Sequence, residues 1–95
     1  MPVNEPVSRH LIVHGRVQGV GYRNYIEYKA GVLGVSGWVR NRLDGSVEAM
    51  ISGAPDAVEA LIECARRGPR KAEVTGVDVS PGEGMHQGFV VRPTK

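Results

Sequence analysis

The chain has little that is aromatic: five such side chains in 95 residues, one a tryptophan and one a phenylalanine. Strands that read RNA by stacking bases are rich in these rings. That poverty argues against a nucleic-acid platform, although Trp38, Arg40 and Arg42 would give one sheet face some positive charge. Cys64 is the single cysteine, so an internal disulfide is excluded and nothing ties the chain to an oxidising compartment. No apolar run approaches the roughly 20 residues that a spanning helix needs. The first eight residues are polar and proline-containing, unlike a secretory signal. A cytoplasmic location, away from membranes, is the default expectation. Nor do the histidines mark a metal site. His10 and His14 would share a face in a helix, but in a strand they lie about 13 Å apart. The formal net charge of +2 and sequence pI of about 9.0 suit a small anion as well as a polyanion, so charge does not choose.

What is present is a regular alternation of patterns. Residues Val7 to His14 read as a strand around Leu11 and Val13. Tyr22, Tyr25, Ile26, Ala30 and Leu33 fall at helical spacing, with Gly34 as the stop. Val35 to Arg42 and Ser46 to Gly53 alternate as strands, and Asp44-Gly45 between them signals a hairpin. Pro55 opens a second helix with Val58, Leu61, Ile62 and Ala65 on one stripe, and Gly68-Pro69 closes it. Ala72 to Val79 and Gly88 to Arg92 read as two last strands. The order β-α-β-β-α-β, with an extra C-terminal strand, is that of an α+β ferredoxin-like two-layer sandwich. Its two helices lie on one face of an antiparallel sheet. Ninety-five residues make one domain, spanning 1–95.

Between the first strand and the first helix runs Gly15-Arg16-Val17-Gln18-Gly19-Val20-Gly21-Tyr22-Arg23. Glycines let a backbone come close to a ligand and turn successive N–H groups toward an anion. The helix that follows adds its positive end, and Arg23 adds a permanently charged fork of donors. Together these make a cradle for phosphate. The loop is not a Walker A motif, for no Lys-Ser/Thr pair follows the glycines. Its glycine spacing is not the dinucleotide G-x-G-x-x-G either. Asn41 shares strand parity with Val35, Gly37 and Val39, so it lies on the helix-covered side, where an amide needs a partner. An asparagine beside a hairpin can also be a plain turn residue that bonds local backbone.

The loop resembles the first signature of the acylphosphatase family, roughly G-x-V-Q-G-V-x-aromatic-R. Gly37-Trp38-Val39-Arg40-Asn41, with Gly45, Val47 and Glu48, resembles the second. The resemblance runs from about Arg9 to Arg92. It implies the same ferredoxin-like fold and hydrolysis of small acyl phosphates to a carboxylate and inorganic phosphate. It also implies that no metal or organic cofactor is needed, while the small size of the domain makes a monomer the simplest expectation. Arg23 would bind the substrate phosphate with the backbone of Arg16, Val17, Gln18, Gly19 and Val20, and Asn41 would orient the attacking water. Such a reaction needs no general acid, because a carboxylate leaves without protonation.

Two other readings share the fold: a non-catalytic phosphate- or RNA-binding module, and one domain of a larger carbamoyl-transfer protein. Two departures from the family pattern are visible. Tyr22 stands where phenylalanine is usual, so its hydroxyl needs a partner. Pro93 follows Arg92 where many members have an aromatic, so the last strand should end at Arg92.

Overall fold

The computed structural model describes residues 5–95. Seven elements follow the order read from the pattern: β1 (Val7–Arg16), α1 (Tyr22–Leu33), β2 (Ser36–Asn41), β3 (Val47–Gly53), α2 (Pro55–Arg67), β4 (Glu73–Pro81) and β5 (Phe89–Val91). The strands form one sheet in the order β4-β1-β3-β2-β5. β1 is therefore an interior strand, antiparallel both to β3 and to β4.

Side-chain parity decides what the helices cover. Leu11 and Val13 of β1, Val39 of β2, and Val47, Ala49 and Ile51 of β3 are almost fully buried. They meet Ile26 and Ala30 of α1 and Val58, Leu61, Ile62 and Ala65 of α2 in one core. Each large aliphatic buried there contributes roughly 1.5–3 kcal/mol, so the interleaving of these two helical stripes with the strand faces is the main source of stability. Both helices end where glycine permits. Gly34 takes φ 74° and donates its N–H to Ala30 O, and the N–H of Gly68 reaches Cys64 O.

The extra hydroxyl of Tyr22 finds a partner. Buried in the core, it donates to Ala65 O at 2.7 Å, and the Tyr25 hydroxyl donates to Cys64 O at 2.9 Å. Both carbonyls lie in the last turn of α2; that of Ala65 is among those a helix end leaves unpaired, and that of Cys64 also takes the Gly68 N–H. The start of α1 is thus bolted to the end of α2. Burial drives the Tyr22 phenol well above its usual pKa, which keeps that donor protonated.

One expectation needs correction. The sheet is mixed, not wholly antiparallel, because β5 pairs with β2 in parallel. The cause is the route of the chain. β4 ends beside the start of β1, and residues 82–88 then cross that end of the sheet to its far edge. On the way Gly82 donates to Ser8 O, His86 to Ser52 Oγ, and Gly37 to Gly88 O. A strand that starts at the end where β2 starts must run alongside it. The hairpin between β2 and β3 forms around Asp44-Gly45, as expected. Gly45 N–H reaches Arg42 O and Arg42 N–H reaches Ser46 O, with Gly45 at φ 95°. This is a four-residue turn with a glycine bulge.

On the helix-free face, Trp38 is 8% exposed. The guanidinium groups of Arg40 and Arg92 lie 4.6 and 4.7 Å from its ring centroid. The ring, with Met50 as its register neighbour, is therefore roofed by charge and is not offered to a base. Glu48 accepts from Arg40 Nε at 2.8 Å and from His10 Nε2 at 2.6 Å. His14 pairs separately with Asp78 at 2.9 Å. Both strand histidines are thus engaged with carboxylates, on different partners.

Candidate active site

The loop leaves the end of β1 and passes into α1, and its residues divide by what they face. Val17 is 1% exposed and Val20 packs against the core, so these two pin the loop down. Gly19 and Gly21 lie on the outer side at φ 74° and 81°, backbone angles that β-carbon-bearing residues avoid. A Cβ at either would meet nothing within 4 Å. Conformation, not crowding, calls for glycine there.

Gly21 is the N-cap of α1. No side chain caps that end, and the first turn holds no acidic residue. α2 differs, carrying Asp56 in its first turn. The N–H groups at the start of α1 thus keep unspent donor capacity, with the positive end of the helix dipole behind them.

A cleft of about 100 Å³ opens at this point, lined by Val17, Gly19, Gly21, Tyr22, Arg23, Asn24 and Asn41. The space has room for a phosphoryl group and a water, and it opens to solvent on one side. Arg23 and Asn41, named from two separate motifs, line the same cleft. Arg23 takes part in no ion pair among the described residues, so it is not an ordinary surface arginine neutralised by a neighbour.

Asn41 ends β2. Its Oδ1 is buried and has no hydrogen-bond partner among the described residues, an arrangement costing about 1–3 kcal/mol. The turn duty open to an asparagine here belongs to Asp44 instead. Its carboxylate accepts from Ser46 N at 2.9 Å and Ser46 Oγ at 2.6 Å, and those bonds hold it below the usual aspartate pKa. Asn41 lines the cleft, and its amide oxygen has no hydrogen-bonding task among the described residues.

Of the expected loop residues, Val17 and Gly19 line the cleft and three do not. Arg16 is exposed and belongs to the end of β1, in register with Glu73. Val20 faces the core. Gln18 sends its side chain to the hairpin, with Nε2 2.8 Å from both Arg42 O and Ser46 O. The sequence reading passed over Gly21, Tyr22 and Asn24 as site residues. The signal for them was positional: residues just before and within a helix's first turn border whatever its N-terminus faces.

Comparison with known proteins agrees with this geometry. The family model described as acylphosphatase matches residues 9–91. An acylphosphatase of Cupriavidus pinatubonensis is 53% identical over 85 residues, covering 90% of this chain and 94% of that one. The solved structure of an acylphosphatase from Coxiella burnetii superposes with a TM-score of 0.89 at 33% identity, covering 97% of this chain and 100% of that chain. T. kodakarensis HypF matches with a TM-score of 0.79 at 26% identity, over 96% of this chain but only 12% of that protein. With two motifs meeting in one polar cleft and the family match spanning nearly every described element, the chain belongs to the acylphosphatase family.

Proposed function

We propose that this protein hydrolyses the carboxyl–phosphate bond of small acyl phosphates, as a single-domain cytoplasmic monomer that needs no metal. One observation carries the reading: Arg23, in no ion pair among the described residues, and Asn41, whose buried Oδ1 has no partner among them, line one small cleft at an uncapped helix N-terminus.

The phosphoryl group is held by the Arg23 fork and by backbone N–H groups of the 15–21 loop, which meet its equatorial oxygens. Asn41 Oδ1 accepts a hydrogen bond from a water and aims its lone pair at phosphorus, in line with the bond to the acyl oxygen. Attack forms the new P–O bond as the P–O bond to the acyl group breaks, and the carboxylate departs with the electron pair. One water proton stays on the incoming oxygen. The other passes to a phosphoryl oxygen of the substrate, since a neutral amide is a poor base. The products are a carboxylate and dihydrogen phosphate. Positioning and charge stabilisation make up the protein's contribution.

Hydrolysis of benzoyl phosphate, followed with EDTA present, tests this for the wild type beside Asn41→Ala. Turnover that survives the chelator and collapses in the variant supports both parts. A folded wild type with no turnover refutes the activity.

A further inference from the structure

The loop and Asn41 are not neighbours in the sheet. The loop extends β1, Asn41 ends β2, and β3 runs between them, which sets the two strands about 10 Å apart. No ladder hydrogen bond joins the two walls of the cleft directly. Gln18 bridges the gap. It stands next to Gly19, on one wall, yet its side chain crosses the start of β3 to the carbonyls of Arg42 and Ser46. Arg42 follows Asn41, on the other wall.

The chemistry explains why the residue is glutamine. Both partners are carbonyl oxygens, so the tie needs two N–H donors on one short neutral group, which a primary amide supplies. Those two carbonyls are also the ones that close the turn, receiving the N–H groups of Gly45 and Arg42. One amide therefore clamps the turn that fixes Asn41 to the loop that borders the phosphate.

We infer that Gln18 is a positioning residue: its amide holds the phosphate loop and the Asn41 side chain at the separation in-line attack requires. This rests on the hydrolytic reading given above. It departs from the expectation for Gln18, which made it a substrate-binding residue of the loop.

The test is Gln18→Met, which keeps length and removes both donors, measured alone and in the Asn41→Ala background. With the tie broken, kcat for benzoyl phosphate falls about tenfold or more, since a misplacement near 1 Å is costly. KM and the inhibition constant for inorganic phosphate move less than about threefold, because phosphate is held on the loop side. In Asn41→Ala the same change costs less than about twofold, since no aimed water remains to be misaligned. Thermal unfolding verifies that each variant is folded. Should Gln18→Met not fold, Gln18→Asn, an amide one methylene too short, takes its place.

A near-wild-type kcat overturns the inference, as does a loss undiminished in the Asn41→Ala background. Weaker phosphate inhibition at unchanged kcat overturns it too, by making Gln18 a shaper of the loop alone. The two failures are separable. Normal turnover by Asn41→Ala would remove the reading underneath. A large Asn41→Ala defect beside an indifferent Gln18→Met would remove only the tie.

Discussion

Asn41→Ala should make the protein more stable and nearly inactive. In the ligand-free protein the buried Oδ1 lacks a hydrogen-bond partner among the described residues, a condition worth about 1–3 kcal/mol against the fold. Alanine removes that atom and also some packing at a half-buried position. A net gain of up to about 1 kcal/mol follows, which for a domain of this size corresponds to an unfolding midpoint raised by up to about 8 °C. The rate moves the other way. Deleting one aimed polar group from a site of this type costs about 10²–10³ in kcat, or roughly 2.7–4 kcal/mol. Thermal melts in phosphate-free buffer and benzoyl phosphate kinetics on the same samples measure both. A midpoint lowered by several degrees would refute the reasoning, for it would mean the amide holds the hairpin together as a turn residue. An unchanged kcat would refute it from the other side.

Three further outcomes are expected. Arg23→Ala weakens inhibition by inorganic phosphate about 10- to 100-fold and Arg23→Lys recovers little of it, because a point charge cannot replace a fork; Asn41→Ala leaves that inhibition nearly intact, and equal losses in both would break the division of roles. Tyr22→Phe strips Ala65 O of the Tyr22 hydroxyl and destabilises by about 1 kcal/mol with activity retained, read by urea unfolding; an unchanged midpoint would show the bolt between the helices to be idle. The third concerns acid. Burial pushes the Glu48 carboxyl up, but bonds from His10 and Arg40 and their charges outweigh it and leave the group below its ordinary 4.5. A depressed carboxyl stabilises the fold fully above that value and loses its contribution as pH falls through the folded value. The unfolding midpoint of the wild type should therefore drop below about pH 4.5 more steeply than that of Glu48→Gln, and parallel curves would count against the network.

Much of this was legible in the residues because the signals were local. Gly34 ends a helix, Pro55 starts one, and the parity of Val35, Gly37, Val39 and Asn41 assigns a face without knowing what lies opposite. Arg23 and Asn41 could be named because each closes a motif. What escaped was set by partners distant in the chain. The direction of β5 depends on the end at which β4 stops and on the crossing by residues 82–88. The reach of Gln18 to Arg42 and Ser46 depends on β3 lying between two strands that sequence order alone does not space. Trp38 reads as an exposed ring until Arg40 and Arg92 are seen to cover it.

The interior place of β1, flanked on both edges, has a consequence for how the protein is made. Among the described elements a ribosome releases β1 first, yet both neighbours of this strand come later: β3 at residues 47–53 and β4 at residues 73–81. Until residue 81 has emerged, Leu11, Ile12 and Val13 belong to a strand with at least one open edge. Folding must therefore wait for nearly all the elements and close long loops, which makes it slow for so small a chain. During that wait an apolar strand with unpaired backbone is the segment a chaperone would meet, and the segment through which nascent copies would stick together.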